Sequence, residues 1–175
     1  MIPLKGAKVG LRALESKDLD LLMSWENNPE NWSLSGTVKP FSRSVLKRYL
    51  QNAHKDIYEA QQLRLIIETT DGVALGTLDF FEFDPLNLRC GLGILIAQKE
   101  QRQKGYAFEA LQLACTFAFK AWGLQQIFAN ILESNTASQA LFKKAGFEKT
   151  GHKKAWVNIE GSFYDEGFYQ LLSKE

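Results

Sequence analysis

The chain has 175 residues, 45% of them apolar, and its charged side chains nearly cancel at a formal net charge of +1. That length holds a sizeable core in one domain over residues 1–175, without disulfides or metals. No basic excess points to nucleic acid or an anionic membrane as an obligate partner, and none is expected.

In chain order, Ala7 to Leu14 alternates as a first strand. Ser16 or Asp18 can cap a helix that carries Leu19, Leu22, Met23 and Trp25 on one side. Asn27 to Asn31 reads as a loop, and the segment through Pro40 as irregular. Ser42 opens a second helix with Val45, Leu46, Tyr49 and Leu50. Leu63 to Glu68 and Ala74 to Phe83 read as strands joined at Asp71-Gly72, a hairpin signal. Asp84 to Asn87 turns the chain, and Leu88 to Ile96 returns as a central strand. A helix follows from Phe108 to Trp122, closed by Gly123, and then a buried strand from Gln126 to Leu132. The last strands are Phe147 to Ile159 and Phe163 to Leu172, turning at Glu160-Gly161. A meander that gives way to alternating strands and helices predicts an α/β fold with a mixed sheet covered on both sides.

Cys90 and Cys115, the only cysteines, fall in a strand and a helix pattern and read as buried free thiols. His54 and His152 are far apart and lack paired ligands, so no metal site is expected. No Gly-x-Ser-x-Gly elbow is present, which argues against a serine hydrolase. The N-terminus lacks the blocks of a signal peptide and no apolar run spans a bilayer, so a cytoplasmic location is expected.

The most informative stretch is Arg102-Gln103-Lys104-Gly105-Tyr106-Ala107, between the apolar run Ile94 to Ala97 and the helix. A strand that feeds a basic loop opening into a helix offers unpaired N–H groups and the positive end of a helix dipole. Arg102 and Lys104 flank that point, and Gly105 allows close approach to the backbone. This is a site for phosphate. The Walker loop is excluded because Tyr106 follows Gly105. The dinucleotide fingerprint is excluded because Gly91-Leu92-Gly93 lies within a strand without a third glycine in register.

The remaining pattern, Arg-x-x-Gly-x-Ala, resembles the acetyl-CoA loop of the GNAT superfamily of N-acetyltransferases. Downstream, Asn135-Thr136-Ala137-Ser138 followed by Leu141-Phe142 and Gly146-Phe147 is similar to the second cofactor motif of that superfamily, at the spacing it shows. Leu11 to Leu14 before a helix also resembles the opening of the RimJ/RimL and spermidine acetyltransferase branch.

The resemblance implies a mostly antiparallel sheet of about seven strands flanked by helices and splayed between the fourth and fifth strands, with acetyl-CoA in the gap. It implies that Leu95 and Ile96 offer main-chain groups to the pantetheine arm, and that Arg102, Gln103, Lys104, Gly105, Tyr106 and Ala107 wrap the pyrophosphate. Asn135, Ser138 and Phe142 would lie along the cofactor. Asn135 and Ser138 also suit ordinary helix capping, and the two roles are compatible.

Two departures matter. Phe142 stands where many members carry a tyrosine that protonates the leaving thiolate, so Ser138 becomes the candidate acid. Gly91 stands where relatives often carry a strand glutamate that accepts the amine proton, leaving Glu82 and Asp79 as the nearest carboxylates. A regular strand aims those two at opposite faces, and a solvated or ion-paired surface role is the stronger reading for each. The acceptor pocket of this fold makes Trp25, Glu26, Trp32, Glu82, Tyr164 and Asp165 candidates to hold a cationic amine by charge pairing and cation–π contact. Trp25 also fits the apolar helix face, where packing is its better reading.

The activity implied is acetyl transfer from acetyl-CoA to a small polyamine-like amine or a peptide N-terminus, directly in a ternary complex. The alternative is a non-catalytic acyl-CoA-binding regulatory module. A homodimer is compatible with the family, although nothing in the sequence requires one.

Overall fold

The computed structural model describes residues 4–35, 37 and 39–174. Seven strands form one sheet in the order β1-β2-β3-β4-β5-β7-β6. They are β1 (Val9–Ala13), β2 (Leu63–Thr69), β3 (Ala74–Asp84), β4 (Arg89–Ile96), β5 (Gln126–Leu132), β6 (Glu148–Ile159) and β7 (Ser162–Leu172). The helices are α1 (Leu19–Glu26), α2 (Pro29–Ser35), α3 (Arg43–Asn52), α4 (Ile57–Ala60), α5 (Tyr106–Trp122) and α6 (Thr136–Lys144). All strand pairings are antiparallel except β4 with β5.

α5 and α6 cover one face of the sheet. Ala110, Leu111, Ala114 and Phe142 pack there with Leu78, Phe80, Leu92, Ile127 and Tyr169 in one buried cluster. On the opposite face α1 sets Trp25 against Ile66 and Ala97. Burying each of the leucine, isoleucine and phenylalanine side chains contributes about 1.5–3 kcal/mol. The entry to α1 is fixed by Arg12, whose guanidinium donates to both oxygens of Asp18 at 2.8 and 2.9 Å. Burial by itself would raise the Asp18 pKa. The Arg12 hydrogen bond and the Glu15 amide outweigh it and hold the carboxyl below its usual value.

The segment after α1 corrects the sequence reading. Pro29–Ser35 is helical rather than irregular, while residues 36 and 38 of that segment lie outside the described residues. Pro29 occupies the first helical position, where its missing N–H costs nothing, and the Asn28 side chain accepts from the Glu30 amide at 3.1 Å. Turn-forming residues here begin a helix. The one-turn helix α4, capped by Asp56, was also absent from the sequence reading.

β3 carries a second correction. A bulge between Phe81 and Asp84, with Glu82 at φ +48°, breaks the alternation. Phe80 and Phe83 therefore both meet Trp122 edge-on, while Phe81 turns to the other face against Phe128.

The opening that matters for function lies between β4 and β5. Only Arg89, Cys90 and Gly91 pair with β5, opposite Gln126, Ile127 and Phe128. Beyond Gly91, β4 keeps only β3, and beyond Phe128, β5 keeps only β7. The strands splay apart toward their C-terminal ends, where the basic loop and the start of α6 converge.

Candidate active site

The loop after β4 is built from left-handed residues. Gln103 has φ +61° and Gly105 φ +84°. Gly105 is the N-cap of α5 and offers no side-chain cap to the helix, so the first-turn N–H groups face outward. Successive amides turned this way form a concavity suited to an anion. Lys8 joins them from β1's approach, its ammonium 3.2 Å from the Lys104 carbonyl. It is held there because the Glu109 carboxylate of α5 receives the amides of Ala7, Lys8 and Val9. Lys8, Thr69, Thr70, Asp71, Lys104 and Tyr106 line a depression beside the loop. Lys8 was invisible as a site residue because it lies 96 positions from Lys104.

Arg102 makes two hydrogen bonds within the protein. Its Nε donates to the Ile96 carbonyl at 3.0 Å and a terminal nitrogen donates to Asn31 Oδ1 at 3.3 Å. Asn31 is 1% exposed and in turn donates to the Trp25 carbonyl at 3.3 Å. The chain of bonds ties the loop after β4 to α1 and α2, and nothing in the sequence pointed to Asn31. The expectation for Leu95 is corrected: its carbonyl points at Gly76 on β3, where a side chain would overlap it. Alternation then turns Ile94 and Ile96 toward the gap, and the direction of the Ile96 carbonyl agrees.

Across the gap, Asn135 caps α6 by accepting from the Ser138 amide at 3.1 Å, which leaves both half-buried at the helix start. The Phe142 ring does not line the opening. It is 2% exposed and meets Phe147 edge-on in the core, the better position for a ring without a hydroxyl. The departure at Gly91 also has a structural cause. A Cβ there would overlap the ring of Phe81, its register partner on β3, so the Phe81 ring fills the place of a glutamate side chain.

The acceptor-side candidates separate. Trp25 is in the core, 6% exposed, rather than in a pocket. Trp32 donates its indole N–H to the Glu26 carbonyl at 2.8 Å. Glu82 is exposed on the bulge, and Asp79 is half-buried, paired in register with Gly93. Asp79 and Glu26 share one cation: Arg64 of β2 reaches Asp79 through Nε and Glu26 through Nη1, both at 2.5 Å. The Tyr49 ring lies 5.7 Å from the same guanidinium. Burial opposes the Arg64 charge, yet Asp79, Tyr49 and Glu26 hold its pKa above the usual value. Arg64 had been read only as a strand residue.

Tyr164 stands exposed on β7, while Asp165 is fully engaged, accepting from the Ala155 amide and facing His152 Nε2 at 2.9 Å. His152 also reaches Glu133, which binds Lys149. Cys90 and Cys115 are buried free thiols, and burial pushes both up to about 12.

A sheet opened between two parallel strands, with an uncapped helix start at one end and a capped helix at the other wall, is a cleft that suits an extended, phosphate-bearing donor. Residues 8–148 match the acetyltransferase (GNAT) domain family, and the chain belongs to that family. Among its relatives, the spermidine N(1)-acetyltransferase of Vibrio cholerae is 25% identical over 169 residues, covering 96% of this chain and 95% of that protein. The [ribosomal protein uS5]-alanine N-acetyltransferase of Escherichia coli is 38% identical over 86 residues, 49% of this chain and 44% of the relative. The crystal structure of the V. cholerae spermidine N-acetyltransferase with CoA and spermine superposes with a TM-score of 0.86 at 23% identity, covering 95% of this chain and 96% of that one.

Proposed function

We propose that this protein transfers the acetyl group of acetyl-CoA to a primary amine by direct attack within a ternary complex. The observation that carries the reading is the β4–β5 splay, which ends at the left-handed loop and the Asn135-capped helix. Acetyl-CoA would lie in that opening, its pyrophosphate on the amides after Gln103 and its pantetheine against Ile94 and Ile96. The amine nitrogen attacks the thioester carbon, the C–S bond breaks, one proton leaves nitrogen and one reaches the thiolate.

An alkyl ammonium of pKa ~10.4 must first lose a proton, a deficit of about 4 kcal/mol near neutrality. A backbone N–H of Ile94 or Ile96 would stabilise the oxyanion, and Ser138, at the first turn of α6, would return a proton to sulfur. Direct transfer is supported by the burial of both cysteines, which keeps thiolate from forming an acyl-enzyme. Reduced thiols also suit the cytoplasm. The test is release of CoA thiol from acetyl-CoA with spermidine, spermine, aminoglycosides and short peptides. Amine-dependent release supports the enzyme. Acetyl-CoA binding with no release from any amine would replace this reading with that of a regulatory acyl-CoA binder.

A further inference from the structure

Asp79 pairs in register with Gly93, on the stretch of β4 that has parted from β5. Gly93 presents no side chain, and nothing crowds its position closer than a Phe81 ring atom at 3.8 Å. Asp79 is therefore the carboxylate that flanks this parted stretch of β4. Arg64 pairs in register with Asp79 from β2, and Glu26 descends from the end of α1 onto the same guanidinium. The side chains of Arg64, Glu26 and Asp79 are 20%, 15% and 21% exposed, so all three remain within reach of a ligand. Farther along the face, Glu166 is neutralised in the same manner by Lys153, at 2.7 Å. Lys153 also lies 5.9 Å over the Phe168 ring, which stacks on Phe128 at 5.4 Å.

We propose that Arg64 is a specificity-determining residue of the acceptor site: it is a built-in cation that occupies the Glu26–Asp79 pair and leaves one net negative charge there. One ammonium is attracted to that surplus. A second ammonium of a polyamine would meet the guanidinium or the Lys153 ammonium in place of a free carboxylate, and like charges at close range repel. The Phe81, Phe128 and Phe168 rings suit an apolar substituent beside the single charge. The inference rests on the acetyltransferase reading and narrows its substrate class to monoamines.

The test compares 2-phenylethylamine with spermidine on wild type, Arg64→Met and Arg64→Lys. CoA release is measured alongside calorimetric binding of spermidine to the CoA-loaded protein. Arg64→Met should raise the spermidine-to-phenylethylamine ratio of kcat/KM about tenfold and tighten spermidine binding comparably. Arg64→Lys, which keeps the charge, should stay near wild type. A ratio within twofold of wild type in Arg64→Met overturns the proposal. If no amine releases CoA, the enzymatic reading fails, and the calorimetry still decides the role of Arg64: unchanged spermidine binding overturns it. Should Arg64→Met not fold, Glu26→Gln removes the surplus charge and should raise the KM for phenylethylamine several-fold. An unchanged KM there overturns the proposal equally.

Discussion

The Arg102 guanidinium donates to the carbonyl of Ile96, the last residue of the splayed strand, across 3.0 Å. Its second bond, to Asn31, reaches a side chain that is 1% exposed. The residue that opens the loop after β4 is thus a brace between β4 and α2.

Arg102→Ala leaves the Asn31 oxygen unpartnered and the corner after Ile96 unsupported. Losing hydrogen bonds from a charged donor costs about 1.5–3 kcal/mol. Thermal denaturation should show a loss in that range, and calorimetry a weaker affinity for acetyl-CoA. Weakened affinity at unchanged stability would mean that Arg102 serves phosphate directly and not as a brace.

Ser138 stands at the start of α6 with its amide already bonded to Asn135, so removing its hydroxyl spares the cap. Ser138→Ala should lower kcat by about 10²-fold, the scale of general acid assistance, while acetyl-CoA affinity holds. Steady-state kinetics beside calorimetry separates the two. An unaltered kcat assigns the proton to water.

Cys90 and Cys115 are pushed by burial from 9.0 to about 12. The unfolded chain therefore ionises first as pH rises. The stability these thiols contribute is whole below pH 9, declines through the interval to 12 and is gone above it. Each thiol contributes at most about 1.4 kcal/mol per pH unit to that decline. Urea melts across this range should show a decline that Cys115→Ala makes shallower. The native thiols should resist a disulfide reagent at pH 8 and react once the protein is denatured.

Tyr169 is fully buried, and its hydroxyl is the one buried side-chain polar atom without a partner among the described residues. A buried donor left unbonded carries a desolvation penalty of about 1–3 kcal/mol. Tyr169→Phe should therefore leave the melting temperature unchanged or raise it. A fall of several degrees would reveal a partner formed in solution.

Much of the fold was legible in sequence because the strands and long helices advertise themselves locally. The alternation of β2 and β3, the Gly123 stop of α5 and the run of β5 are each properties of ten or so neighbouring residues. Local signals misled where one residue type serves two structures: Asn27, Asn28 and Pro29 suit a turn and a helix start equally, and contacts beyond the segment chose the helix. The bulge at Glu82 is another such case, since nothing local to the strand shows that Phe80 and Phe83 share the Trp122 face while Phe81 meets Phe128 on the other.

The sequence by itself determined the family, the basic loop between β4 and α5 and the capped helix, because each of those is read from contiguous stretches whose geometry depends on their own backbone. Tertiary structure alone decided the partners. It set Arg64 between Glu26 and Asp79, 38 and 15 positions away, brought Lys8 to Lys104, and turned Leu95 from the gap to β3. Charge pairing and strand register act through space, and residues distant along the chain meet only after the sheet has formed.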